Sequence, residues 1–283
     1  MALTITPTAA TLGATVTGVR LNALTAAQWQ EIYQAFLSFG VLFFPEQHLD
    51  AAEQLAFARR FGEIEVLVPG MTTIPISNKD EGGRFLAADS HRMKLLRGNE
   101  GWHTDSSYMP LAAKASVLSA HVLPREGGGT EWADARAAYD ALDAETQARL
   151  GALTAYHSYF YSQRKMGHDV ITGAGYGFFE GEPPLRGLVK IHPETGRASV
   201  YLGRHAGRIP GMPDAEAEQF IDELNAFICR SPRTVVHHWQ AGDVAVWDNR
   251  CLLHRALPYD YGEERVLMHT RIKGEKTELA LNA

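Results

Sequence analysis

Apolar residues recur along the chain in two periods. Residues 3–21 alternate in short β-like runs, with Gly13 and Gly18 at turn or bulge points. From Thr25 the spacing becomes helical, with Trp29, Ile32, Tyr33 and Phe36 on one face. Thr25-Ala-Ala-Gln28 supplies a capping box, and the pattern predicts a helix to about Phe39, ended by Gly40. Val41-Leu-Phe-Phe44 is an unbroken apolar run stopped by Pro45, the pattern of a buried strand. Asp50-Ala-Ala-Glu53 caps a second helix, expected to reach about Arg60 and to close at Gly62. Both helices are expected to pack outside a sheet.

Further along, residues 78–101 are polar and read as a solvated loop in a position to act as a lid. Residues 112–123 alternate as a strand, and Glu126-Gly-Gly-Gly-Thr130 is a tight turn into another. That turn lacks the Lys-Ser/Thr ending and following helix of a phosphate loop. Residues 134–151 read as helical, with Asp143 near a start. Between Tyr159 and Gly187 the pattern dissolves, and Tyr159, Phe160, Tyr161, Tyr176, Phe178 and Phe179 sit among Gly, Gln, Lys and Pro. Such a stretch is either a packed surface loop or a mobile aromatic wall over a site. Strands resume at Leu188–His192 and Val200–His205, followed by an amphipathic helix over 213–230.

Asp243–Trp247 is a further strand, with a turn at Asp248–Arg250 that delivers His254. In the last strand, Arg265–Arg271, the period of two puts Arg265, Leu267, His269 and Arg271 on one face. Two arginines and a histidine on an inward face are costly unless anions meet them. Many short strands, with helices mainly at the N-terminal end and in one insertion, predict a mainly β chain with flanking helices. We read one domain over 1–283, with an insertion at about 134–187.

Composition narrows the partners. The 283 residues are 45% apolar, which suits one large domain. Net charge is −6 and no basic run occurs, so nucleic acid is not an expected partner. The first residues show neither a basic segment nor a long apolar one, so no signal peptide is expected. No apolar run approaches the roughly 20 residues that span a bilayer. Cys229 and Cys251 make no disulfide framework and fit a reduced, cytoplasmic protein.

The candidate chemistry lies at His103-Thr-Asp105. Alternate side chains of extended chain leave on the same face, so imidazole and carboxylate can point at one divalent metal. Two ligands hold a metal poorly, and His254 offers a third. Two histidines and one carboxylate form the facial triad of non-haem Fe(II) oxygenases, which leaves the opposite metal face open. His192, His205 and the pair His237-His238 are rival imidazoles, of which His192 reads as structural. The hydroxyl of Thr130 is a possible donor to a carboxylate.

The chain resembles the Fe(II)/2-oxoglutarate-dependent dioxygenases of the taurine and 2,4-dichlorophenoxyacetate type. The resemblance rests on Trp102-His103-x-Asp105, Gly128-Gly129-Thr130, Trp247-Asp248-Asn249-Arg250 with His254-Arg255-Ala256, and Arg265 eleven residues after His254. It implies a double-stranded β-helix, or jelly roll, with Fe(II) on His103, Asp105 and His254. It also implies 2-oxoglutarate as cosubstrate, gripped at its far carboxylate by Arg265 and Thr130. Asn99 is implied to reach cosubstrate or substrate. O2 is the oxidant, ascorbate is expected to stimulate, and a homo-oligomer is expected.

Val41-Leu-Phe-Phe-Pro-x-Gln47-x-Leu49, Gly203-Arg-His-Ala206 and Ile209-Pro-Gly-Met212 are similar to aryloxyalkanoate dioxygenases, especially phenoxypropionate-cleaving ones. The implied substrate is a small organic acid, with Arg271 as reader of its carboxylate and Arg204 or His205 in reserve. In taurine enzymes an arginine reads the sulfonate where this chain has His269. Three readings stay open beside this one: a sulfonate or alkylsulfate dioxygenase, a zinc hydrolase, and a non-catalytic jelly-roll binding protein.

Overall fold

The structure, a computed structural model, describes residues 2–283. In chain order its strands are β1 (Thr4–Pro7), β2 (Ala14–Thr17), β3 (Val41–Phe44), β4 (Ile74–Ser77), β5 (Ala113–Val122), β6 (Thr130–Asp134) and β7 (Thr154–Tyr156). There follow β8 (Leu185–Gly187), β9 (Val189–Ile191), β10 (Ala198–Val200), β11 (Thr234–His237), β12 (Val244–Asp248), β13 (Leu252–Ala256) and β14 (Val266–Lys273). The helices are α1 (Ala26–Phe39), α2 (Ala51–Ala58), α3 (His91–Gly98), α4 (Ala135–Asp140), α5 (Ala144–Gly151), α6 (Tyr159–Lys165) and α7 (Asp214–Ile228).

A seven-stranded sheet runs in the order β1-β2-β3-β12-β5-β14-β4, antiparallel except between β2 and β3. A three-stranded sheet, β11-β6-β13, faces it. The alternation along each strand sorts residues between faces. Leu42, Phe44, Val117, Val244 and Val246 turn outward and bury against Ile32 and Phe36 of α1 and Phe57 of α2. Val41, Phe43, Leu118 and Trp247 turn inward and meet Trp132 and Leu252 of the smaller sheet. The indoles of Trp132 and Trp247 cross edge to face, with centroids 5.7 Å apart. Behind the smaller sheet, Ala133 and Leu253 pack on Leu150 of α5 and on Ile221 and Leu224 of α7.

Both capping boxes form, at Thr25 and at Asp50. Because Asp50 is exposed and its side chain serves mainly the orphan N–H groups of α2, Asp50→Ala should lower stability by about 1 kcal/mol. Urea unfolding checks this, and an unchanged midpoint would contradict it.

Four expectations need correction. Residues 78–101 are not loop throughout: Ser90 caps α3, and Met93 turns a short apolar face inward. Tyr159–Gly187 also holds order, with Ser158 capping α6 and Leu185–Gly187 pairing as β8. Strand structure in Val200–His205 ends at Val200. The turn after Trp247 does not deliver His254 directly, as the sequence suggests, but opens a further strand that carries it. After β12 the chain turns at 249–251 and changes sheets, so His254 lies inside β13, opposite Trp132.

Candidate active site

The two sheets part at one end, and His103, Asp105 and His254 meet there. The ligand atoms of all three lie within 4.8 Å of one another. The first and last of them are tied through the backbone: His103 N–H donates to the His254 carbonyl at 3.0 Å, and His254 N–H to the His103 carbonyl at 2.8 Å. Two segments far apart in the chain are thereby locked in register. His103 Nδ1 donates to the Gly101 carbonyl at 2.8 Å, which leaves Nε2 with its lone pair free. Burial keeps the His103 imidazole well below its ordinary pKa, with His254 beside it adding to the shift. Burial takes His254 down to about 4. Neutral imidazoles are the form that binds a metal.

Asp105 is the most constrained of the three. Its Oδ1 accepts from Arg271 Nη2 at 2.7 Å and its Oδ2 from Ser116 Oγ at 2.6 Å. Asn249 donates to Ser116 Oγ at 2.9 Å, and its own Oδ1 accepts from Trp247 Nε1 at 3.0 Å. Burial alone would raise the Asp105 carboxyl. Arg271, His254, His269 and His103 around it hold it well below the usual carboxylate range. The next residue, Ser106, has φ 53°, a left-handed conformation that non-glycine residues seldom adopt outside functional sites. The donor set suits a divalent ion: two neutral imidazoles and one ionised carboxylate, with outer partners fixing His103 and Asp105, while His254 is placed by its backbone pairing with His103.

His192, Asp248 and Cys251 form a second cluster of ligand type. Its chemistry differs. Asp248 is taken by Arg250, which donates to both of its oxygens at 2.8 and 2.6 Å, and by His192 at 3.0 Å. Burial raises the Cys251 thiol to about 12, so no thiolate is offered. That cluster anchors the turn between β12 and β13. His237 likewise pairs with Asp243 at 2.9 Å, and His238 is exposed.

A pocket opens from the triad between the sheets, walled by Asn99, Thr130, Arg265, Leu267, His269 and Arg271. The four β14-side residues do share one face, and they run the length of the site. Arg265 stands at one end, 3% exposed, with no carboxylate in salt-bridge range among the described residues. Its Nε and Nη2 donate to the Gly128 carbonyl at 3.0 and 2.8 Å. Gly128 has φ +65°, and a Cβ there would stand 3.0 Å from Arg265 Nε. Glycine is therefore required twice over. Thr130 Oγ1 accepts from Trp239 Nε1 at 3.0 Å, which leaves its own hydrogen free to donate into the pocket. Asn99 follows the last turn of α3, and its carbonyl accepts from Ala256 N–H at 2.7 Å.

At the other end stands Arg271, whereas Arg204 and His205 are not part of the pocket's lining. Arg265 and Arg271, roughly 20 Å apart along an extended strand, both line the pocket that holds the triad. Arg271 is 8% exposed, so it does not reach into solvent. Arg204 lies under α6, donating to Ser162 Oγ at 3.4 Å, and its buried Nε has no acceptor. Its stem lies 3.0 Å from where a Cβ on Gly101 would sit. His205 packs 5.9 Å from the His103 ring and 4.7 Å from Tyr108. Tyr108, Tyr159 and Phe178 stack in series at 4.5 and 4.6 Å.

Residues 4–271 match the model of the taurine catabolism dioxygenase TauD, TfdA family. The chain belongs to that family. Among TauD/TfdA relatives, it is 48% identical over 278 residues to the (S)-phenoxypropionate/alpha-ketoglutarate-dioxygenase of Sphingobium herbicidovorans, covering 97% of this chain and 96% of the relative. It is 50% identical over 279 residues to the enzyme of the same name from Delftia acidovorans, covering 96% and 95%. Among solved structures it is similar to AAD-2 in complex with Mn(II) and N-oxalylglycine, with a TM-score of 0.91, 36% identity and 99% of each chain covered. No helix among the described residues is long and apolar enough to cross a membrane.

Sequence reasoning missed several parts of this TauD/TfdA site. Ser116 carried no signal at all. Asn249 stood inside a quoted motif but without a role. Glu65 was passed over, although its carboxylate lies 4.0 Å from Arg271.

Proposed function

We propose that this dioxygenase hydroxylates the carbon next to the ether oxygen of an aryloxyalkanoate. The hemiacetal so formed collapses to a phenol and a keto acid. In the same turnover 2-oxoglutarate and O2 give succinate and CO2, which balances the oxygen atoms. His103, Asp105 and His254 would hold Fe(II), which supplies the activation of O2. Arg265 and Thr130 would take the far carboxylate of 2-oxoglutarate, a match for a guanidinium fork, and Asn99 would border it. The facing sheets would be the halves of a double-stranded β-helix, and residues from about 134 to 187 an insertion in one domain.

One observation carries the substrate reading. An aromatic stack, Tyr108–Tyr159–Phe178, reaches the triad through His205, whose ring lies 4.7 Å from Tyr108 and 5.9 Å from His103, and Arg271 lines the pocket beside the triad. In the pocket an aryl ring would meet Leu118, Trp247 and Leu267, with that stack behind the triad, and its carboxylate would meet Arg271. The phenoxypropionate relatives point the same way. Oxygen uptake with Fe(II), 2-oxoglutarate and ascorbate tests it across aryloxy acids, sulfonates and sulfate esters. Uptake with aryloxy acids should release phenol in equal amount. Uptake with sulfonates or sulfate esters alone would overturn the reading.

Arg271 would bind the substrate carboxylate. Arg271→Leu should weaken aryloxy acids by about tenfold or more, or ~1.4 kcal/mol. It should leave a slow decarboxylation of 2-oxoglutarate uncoupled from substrate. Iron content is measured alongside, because Arg271 also holds Asp105. If Arg204→Leu shows the loss and Arg271→Leu does not, the role passes to Arg204 and His205.

A further inference from the structure

Glu65 is a carboxylate placed where the proposed role of Arg271 calls for a substrate's carboxylate. Its position is built in. Glu65 N–H donates to the Arg271 carbonyl at 2.8 Å, and Ile64 bridges to Ile272, so the two residues are neighbours across a backbone ladder. The side chain turns inward. Glu65 Oε2 accepts from Ser106 Oγ at 2.8 Å, and Tyr176 OH donates to Oε1. Arg271 Nη1 donates to the same Ser106 Oγ at 2.9 Å.

The contact with Arg271 is incomplete. Glu65 Oε2 stands 4.0 Å from Arg271 Nε, beyond hydrogen-bonding range. That Nε is buried without any acceptor. A buried guanidinium with one unused donor, beside a carboxylate that does not reach it, is set up to accept a better-placed anion. Glu65 and Tyr176 also form the inner wall of an outer apolar cleft bordered by Val66, Met109 and Leu111, with Lys273 at its rim. A displaced Glu65 carboxylate thus has open space on its outer side, where Lys273 is paired with Glu63 at 3.0 Å.

We infer that Glu65 is a resident competitor for the substrate's anionic group, held by Tyr176 within 4.0 Å of Arg271 before substrate binds and yielding that place to the incoming carboxylate. Its role is in specificity. A ligand must bring an anion good enough to displace Glu65, so neutral aryl ethers gain nothing from the pocket's cation. This rests on the reading of Arg271 given above.

The sign of one substitution separates competition from mere support. Glu65→Gln keeps the shape and the acceptor but removes the charge. If Glu65 only orients Arg271, anions bind more weakly in the variant. If it competes, they bind more tightly. Protein loaded with Fe(II) and 2-oxoglutarate is titrated by calorimetry without oxygen, using 2-phenoxypropionate and, as neutral probe, its primary amide. The acid should bind about tenfold more tightly to Glu65→Gln than to the parent, and the amide should not follow it. Glu65→Asp, which keeps the charge but withdraws it from Arg271, should give a smaller gain.

Equal or weaker binding of the acid in Glu65→Gln overturns the inference, as does an equal gain for the amide. In an Arg271→Leu background the Glu65→Gln gain should vanish. If Arg271→Leu alone leaves acid binding intact, the reading of Arg271 has failed. If it weakens the acid while Glu65→Gln brings no gain, only the competition has failed.

Discussion

Alanine at His254 is expected to abolish iron-dependent turnover while the fold survives. The strand that carries His254 is anchored by Leu252 and Leu253, each 1% exposed, and its pairing with His103 runs through the backbone. Truncating the imidazole therefore removes a ligand and little else. The loss should exceed the roughly 10–100-fold that follows removal of an outer partner of a metal ligand. His103→Ala should behave alike. His269 sharpens the test, because its Nε2 lies 3.7 Å from Asp105 Oδ2 and has no partner. It stands outside the group of three whose ligand atoms converge. Bound iron per chain, measured after anaerobic loading, should fall in His254→Ala and persist in His269→Ala. Circular dichroism should match the parent in both. Normal turnover in His254→Ala would end the triad, and loss in His269→Ala alone would move the ligand to that residue.

What was legible in the chain was local. The caps at Thr25 and Asp50 need only four residues each, and both form. The two-residue period of β14 was enough to place Arg265, Leu267, His269 and Arg271 along one wall. Short polar helices were not legible. α3 has a single buried apolar side chain, Met93, and its existence depends on the Ser90 cap and tertiary contacts. The change of sheet between β12 and β13 was hidden for another reason. β12 opens Val-Ala-Val-Trp and β13 opens Leu-Leu, each with apolar residues on both faces, so no alternation at their starts marks which sheet each joins. The polar surroundings of the triad were hardest to see. Glu65 meets Ser106 across 41 residues and Tyr176 across 111, and Arg271 meets Asp105 across 166. No periodicity connects residues so far apart. Only the backbone ladders that bring Glu65 beside Arg271 and His103 beside His254 put them together.

Arg265→Ala should raise the KM for 2-oxoglutarate severely. The guanidinium is a buried cation whose ordinary pKa is lowered by that burial, and its contacts are a carbonyl and the face of Tyr259. Two donors go to Gly128, which fixes the fork and leaves the rest of it for an anion. Truncating one partner of a buried charge pair costs about 2–5 kcal/mol, or about thirtyfold to several thousandfold in affinity. Thr130→Ala removes one neutral donor and should cost nearer 1 kcal/mol, about fivefold. Affinity alone would not separate a carboxylate reader from a wall residue, but selectivity does. The parent should prefer 2-oxoglutarate strongly over a 2-oxo acid that lacks the far carboxylate. Arg265→Ala should lose most of that preference, because the missing charge mattered only to the dicarboxylate. Succinate formation and the corresponding product of the monocarboxylate measure both arms. A variant with a raised KM for both oxo acids in equal proportion would make Arg265 a packing residue. A KM for 2-oxoglutarate that barely moves would remove it from the cosubstrate site altogether.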